Sequence, residues 1–340
     1  MNWEVQTMPS KTSFCNGTEF RKCLSRWWPL WVIYGVILFI MLPGALLNAR
    51  STIPYVSTGQ IGYLSNVILS ETQMLLPLTA FCAGLLAAAA MFGYLYTPRG
   101  AGLAASLPVR RGCMFRTHLL AGLVMLLSAD AVIFGLAVLI EATRFELVIE
   151  PLLIWLGILA LETVVFYGIA VLCAMFTALV AVCSQIAVPM PWGVPINLAL
   201  FAVYMAGTML GPVWGTASQV VFIALAAIGV PVLASFQGGP SAIFGKTGGY
   251  AIGYILTALL TALLTKALGR KFWSLCVAMV VGCAACYVLG TIWFMILTGA
   301  DLVSALGWCV LPYLPGDAVK IVLAAVLTMQ LDKRLKGSLV

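Results

Sequence analysis

Residues 152–182 read LLIWLGILALETVVFYGIAVLCAMFTALVAV, 31 residues in which Glu162 is the only charged side chain and Gly157 and Gly168 are the only weak breakers. A bilayer span takes about 20 apolar residues. At about 1.5 Å per residue this run makes ~47 Å of helix, too long for one level span and too short for two. The rest of the chain has the same texture: 63% apolar, 9% charged and one histidine in 340 residues, with a mean hydropathy of +1.08. Average chains carry about 25% charge, so the fold class is an all-α integral membrane protein. Little polar chemistry remains to distribute. No nucleophile–base pair or metal-ligand spacing occurs and His118 stands alone, which argues against an enzyme and against a cofactor.

Outward from this run, apolar stretches cover Trp27–Leu47, Met74–Tyr96 and Leu119–Ile140 on one side. On the other, candidate spans fall at about 195–210, 213–233, 247–265, 272–298 and 316–331. The net charge of +7 sits in short clusters between them: Arg99, Arg110, Arg111 and Arg116; Lys266, Arg270 and Lys271; Lys333, Arg334 and Lys336. Such clusters orient spans, facing the cytoplasm, and give no reason to expect nucleic acid as a partner. The polar segment 1–26, with Lys11, Arg21, Lys22 and Arg26, reads as a cytoplasmic amino terminus without a cleavable signal peptide. Ten cysteines stand singly or as Cys283/Cys286, mostly inside apolar runs, where a thiol is a small hydrophobe.

Few ionisable residues of the second half lie outside those clusters: Lys246, Asp301, Asp317 and Lys320. An ionisable group within a span is costly and is a functional candidate by default. In Leu311-Pro-Tyr-Leu-Pro-Gly-Asp-Ala-Val-Lys320, Pro315-Gly316 stops the preceding chain, Asp317 is placed as a helix N-cap, and Lys320 comes one turn later. With Lys333 at the inner boundary, Asp317 lies ~24 Å above it in a hydrocarbon layer of ~30 Å, several Å below the outer surface. Either the pair merely caps the helix and neutralises itself, or it forms a site for a small anion entering from outside. The loop 229–250, rich in glycine, has Lys246 as its only charge. Gly245-Lys246-Thr247 matches the end of a phosphate-binding loop, but Pro240 occupies the position of the required glycine and no strand precedes it. Ala170, Ala174 and Ala178 form a small-residue ridge on one helix face, the kind that lets a second helix approach closely in lipid.

From about Gly168 onward the chain closely resembles the BioY family, the biotin-capturing S components of energy-coupling factor transporters. The resemblance rests on six ordered elements: Val188-Pro-Met-Pro-Trp-Gly-Val-Pro-Ile196, Gly229-Val-Pro-Val232, Gln237-Gly-Gly, Gly245-Lys-Thr-Gly-Gly-Tyr-Ala-Ile-Gly253, Gly290-Thr-Ile-Trp293 and Pro312-Tyr-Leu-Pro-Gly-Asp-Ala-Val-Lys320. It implies a six-helix S-component-like bundle, here preceded by three to four additional transmembrane helices, with a biotin pocket near the outer face of a bacterial plasma membrane. It also implies a coupling transmembrane subunit and two ATPase subunits as partners, ATP being used by those partners. The family's contact with the coupling subunit falls on Ala170, Ala174 and Ala178. By motif, Asp317, Lys320 and Lys246 are the ligand residues, joined by Gln237 and Tyr250, with Trp293 or Tyr313 as further ring contacts. Lysine at 246 replaces an arginine of some members, exchanging bidentate carboxylate recognition for a point charge. Ala234-Ser235-Phe236 stands where some relatives supply an asparagine to the ureido ring.

The first half resembles something else. Tyr94-Leu-Tyr-Thr-Pro-Arg-Gly-Ala-Gly-Leu-Ala-Ala-Ser-Leu-Pro-Val-Arg-Arg111 and its flanking spans look like the amino-terminal part of bacterial ABC exporter permeases. The implied organisation is a polar amino terminus at 1–26, a permease-like segment at 27–167 and a BioY-like domain at 168–340. Both resemblances claim the run at 152–182, and as a single helix it forces the basic carboxyl terminus outside, against its charge. Residues 152–167 are therefore expected to lie in the interface, leave a span or distort the first BioY-like helix. The functions in play are biotin uptake, an exporter permease subunit, and a permease/BioY hybrid without a transport role.

Overall fold

A computed structural model of the chain describes residues 15–52, 75–96, 106, 111–144, 149–191 and 194–337. The basic element Ala104–Arg111 lies outside the described residues apart from Ser106 and the backbone of Arg111. Among the described residues, eight helices are long and apolar enough to cross a membrane. The elements are α1 (Gly17–Met41), α2 (Pro43–Thr52), α3 (Leu76–Phe92, continued by a 3₁₀ turn to Tyr96), α4 (Arg111–Arg144), α5 (Ile149–Gln185), a two-residue ladder β1/β2 (Ala187–Val188, Ile196–Asn197), α6 (Ala199–Ala227), α7 (Gly248–Leu268), α8 (Phe272–Thr298), α9 (Leu302–Cys309) and α10 (Leu314–Gly337). The 31-residue run is part of one uninterrupted 37-residue helix, α5. Residues 152–167 are thus helical and continuous with 168–185, because nothing between Leu152 and Gln185 breaks the i→i−4 ladder more strongly than two glycines.

The chain divides into two compact units, one comprising residues 1–91 and 105–168, the other 92–104 and 169–340. In the first, α1 begins ten residues before Trp27, where the Asn16 side chain accepts from the N–H groups of Thr18 and Glu19 and caps the helix. Helices meet through small residues: a Cβ on Gly122 would overlap the Tyr167 ring, and one on Gly84 would come within 3.2 Å of the Tyr167 backbone. Polar contact across the helices centres on Asp130 of α4. Its carboxyl accepts from the Tyr34 hydroxyl of α1 at 2.9 Å and from the Thr163 hydroxyl of α5 at 3.1 Å, all three side chains being buried. Asp130→Ala leaves the two hydroxyls only each other, 3.4 Å apart, in an apolar interior, where an unmet polar group costs about 1–3 kcal/mol. Thermal unfolding is therefore expected to shift down by several degrees, and Asp130→Asn, which keeps an acceptor, to recover most of the loss.

The second unit holds, among its described residues, 169–185 of α5, the two arms of α6, α7, α8 and α10. The arms of α6 arise at Gly211-Pro212. Gly211 has φ 79°, a conformation only glycine adopts freely, and Pro212 opens the next helix. The chain doubles back there: a Cβ on Gly215 would lie 2.8 Å from the Ala206 carbonyl oxygen, whereas nine residues of straight helix span ~13 Å. The runs expected at 195–210 and 213–233 are these two arms. Hydroxyl and thiol contacts key the second arm to α5, Thr177 donating to Ser218 O at 2.9 Å and Cys173 to Trp214 O at 3.5 Å.

α7 and α8 pack closely, with Gly253 against Cys286 and Gly282 against the Thr257 carbonyl. Thr257 also donates across the pair to Gly282 O at 3.0 Å. Lipid supplies no hydrophobic drive between helices, so close contact and such bonds hold this pair. At one end of the unit lie the Gly211 reversal, the α7–α8 turn and the end of α10. There Arg270 pairs with Asp332 at 2.5 Å and donates to Thr208 O. The connections 186–198, 229–247 and 299–313 gather at the other end.

Candidate ligand pocket

That second end encloses a cavity of about 190 Å³, whose wall includes Asn197, Leu233, Ser235, Gln237, Tyr250, Tyr287, Tyr313, Asp317 and Lys320. α10 builds its polar side. The helix starts at Leu314, three residues before the acid, and the Asp317 N–H already donates to Tyr313 O at 2.9 Å. Asp317 is thus inside the first turn and not the N-cap expected from Pro315-Gly316. Pro315 falls in the first turn, where a helix needs no N–H, so it starts the helix and does not stop the chain before it. The acid still benefits from the positive end of the helix dipole.

Lys320 and Asp317 form a buried ion pair, 2.6 Å between Nζ and Oδ1, with 6% and 3% of their surfaces exposed. The other carboxylate oxygen accepts from the Tyr287 hydroxyl and lies 3.7 Å from the Cys283 thiol. Asp317 is therefore satisfied on both oxygens. An ammonium carries three N–H donors, and Asp317 takes one of those on Lys320. The remaining donors sit on a group that forms part of the cavity wall. Removing two charges from water costs several kcal/mol, and an acceptor entering the cavity restores what Lys320 lacks.

Tyr250 lies in the wall with its hydroxyl 3.2 Å from the Thr291 hydroxyl, and its ring rests where a Cβ on Gly290 would be. Tyr313 lines the cavity and donates to Val194 O. Gln237 is an exposed wall residue at the mouth. Trp293 is not in the wall: its indole N–H donates to Gly245 O at 3.1 Å and braces the loop before α7. Lys246 is exposed and outside the wall, while its neighbour Thr247 is in it. The structure therefore brings Asp317, Lys320, Gln237 and Tyr250 together and leaves Lys246 outside the wall. Ala170, Ala174 and Ala178 are buried at 1%, 4% and 6% exposure, so the ridge is already covered within the chain.

Tyr287 and Asn197 join the wall without any sequence signal, one being a tyrosine in an apolar helix and the other lying in a short loop strand. Cys286 and Cys309 add two free thiols to it.

The BioY family model matches residues 160–337. A probable biotin transporter BioY of Pyrococcus horikoshii is 35% identical over 161 residues, 47% of this chain and 94% of that one. The biotin transporter BioY of Thermotoga maritima is 32% identical over 159 residues, covering 47% and 92%. That of Lactococcus lactis subsp. cremoris is 34% identical over 146 residues, covering 42% and 77%. Among solved structures, the S-component for biotin from an ECF-type ABC transporter is similar, with 30% identity, a TM-score of 0.46, and coverage of 49% of this chain and 91% of that one. The family match takes in more than half of the chain, including the helices that enclose the cavity, and relatives over 30% identical are covered over most of their own length: this multi-pass membrane protein belongs to the BioY family.

Proposed function

We propose that the second unit captures biotin in this cavity and serves as the S component of an energy-coupling factor transporter, working with a coupling transmembrane subunit and two ATPase subunits. The observation that carries the reading is the buried Lys320 ammonium in the cavity wall, with donors left over after Asp317. Biotin offers matching chemistry: a carboxylate on a flexible chain, a ureido ring with two N–H donors and one carbonyl, and an apolar thioether ring. Lys320 meets an acceptor of the ligand, Asp317 or Gln237 the ureido group, and Tyr250 the ring. Lys246, exposed beside the wall residue Thr247, attracts the carboxylate during approach, since exposed charges act chiefly on association.

Charge placement supports an outward-facing cavity. Lys266, Arg270, Lys271, Lys333 and Arg334 lie at the end of the unit opposite the cavity, the end that the positive-inside rule assigns to the cytoplasm. With Gln185 then at the outer face, the four crossings of α1, α3, α4 and α5 put the amino terminus outside as well, against the cytoplasmic side expected from Arg21, Lys22 and Arg26; the membrane is read as the bacterial plasma membrane.

Calorimetry on the purified full chain tests the binding step. Submicromolar biotin binding is expected, with biotin amide, which lacks the carboxylate, binding more weakly. No heat of binding from correctly folded protein sinks the proposal.

A further inference from the structure

One side chain holds a wall of the cavity in place from a distance. Gln185 ends α5, and its amide reaches the loop that comes after α6: Nε2 donates to Leu233 O at 2.9 Å and lies 3.5 Å from Pro231 O, while Oε1 accepts from the Phe236 N–H at 2.9 Å. A carbonyl only accepts and an N–H only donates, so the three partners fix which way the amide faces. The loop it grips is strained. Ser235 and Phe236 have φ of 58° and 57°, the only non-glycine residues with positive φ among those described. Such a conformation persists only where the surroundings over-determine it, and strained residues of this kind cluster at ligand clamps. The backbone bonds Leu233 N–H to Gln237 O at 3.1 Å and Gln237 N–H to Ala234 O at 3.4 Å close the turn on itself. Gln185 is the side chain that ties that turn to a helix end. Leu233, Ala234, Ser235 and Gln237 all belong to the cavity wall, whereas Gln185 does not.

We infer that Gln185 is a positioning residue for ligand capture: it holds residues 233–237 in the strained form that completes the cavity, without touching the ligand. This deepens the biotin reading and rests on it. Loss of two hydrogen bonds from the tie is expected to lower affinity about tenfold, since each net bond is worth roughly 0.5–1.5 kcal/mol and 1.4 kcal/mol is tenfold.

The experiment compares the full chain with Gln185→Met, which keeps length and removes all three contacts, and with Gln185→Met/Phe236→Gly. Phe236 is outside the cavity wall with an exposed ring, and glycine adopts positive φ without strain. The glycine should therefore let the loop hold its form without the amide. Biotin affinity is read by calorimetry, and protection of the Phe236 amide by hydrogen exchange without ligand. The expected result is a folded Gln185→Met protein with the Phe236 amide unprotected and affinity about tenfold weaker, and most of that affinity regained in the double variant. Unchanged affinity in Gln185→Met overturns the inference, as does a loss that the glycine does not repair while the Phe236 amide stays protected. If the parent chain binds no biotin, the functional reading fails, while hydrogen exchange still decides whether Gln185 holds the loop.

Discussion

Lys320→Met is expected to weaken biotin binding by about a hundredfold or more. Truncating one partner of a buried, hydrogen-bonded charge pair costs ~2–5 kcal/mol in a complex, and ~2.7 kcal/mol corresponds to about a hundredfold. Stability falls as well, because Asp317 is left as an uncompensated buried charge, a loss of about 3–5 kcal/mol. The two effects separate in the double variant Asp317→Asn/Lys320→Met. There the side chain at 317 is neutral, its carbonyl still accepts from Tyr287, and no charge is stranded. Its unfolding temperature is expected to return close to that of the parent while binding stays lost. Recovery of both would mean that the pair only neutralises itself; recovery of neither would leave the ammonium without a demonstrated role. Calorimetry and thermal unfolding on the same preparations decide it.

Gly290→Ala is the second large effect, and it acts through shape alone. A methyl group at 290 would occupy the space of the Tyr250 ring. The neighbours cannot absorb it by bending a flexible tip, because the obstacle is a ring held between α7 and α8. Overpacking of this kind costs about 1–3 kcal/mol. The loss of biotin affinity is expected to exceed what the drop in unfolding temperature suggests, since the ring pushed aside belongs to the cavity wall. Gly307→Ala, where a Cβ meets nothing within 4 Å, serves as the matched control with neither change.

The features legible in the sequence were those written in composition and order. Apolar runs separated by basic clusters gave the spans, and the gap between those at about 195–210 and 213–233 marked a break before its reversal was visible. Asp317 and Lys320 announced themselves because charge inside a span is rare. Besides Tyr287 and Asn197, three things escaped. The helix of Asp317 begins at Leu314, since proline in a first turn and proline after a helix end look alike until the hydrogen bonds are known. Lys246 drew notice as a lone cation, but one position along a loop separates it from Thr247 in the wall, and sequence carries no direction for a loop side chain. Gln185 acts across 48 residues on Leu233, and a polar residue at the end of a long apolar helix is ordinary without that distant partner. The alanine ridge of α5 was legible as a close-packing face, while its being covered within the chain depends on tertiary contact.

Cys286 and Cys309 make the cavity wall a gauge of how closed the fold is. Both are thiols in the wall, neither is in a disulfide, and each is only 1% exposed. A thiol attacks as its thiolate, and one buried in apolar surroundings is inert. Alkylation, read by mass spectrometry in intact membranes, is therefore expected at the exposed Cys82 first, and modification of the two wall sulfurs marks an opening of the bundle around them.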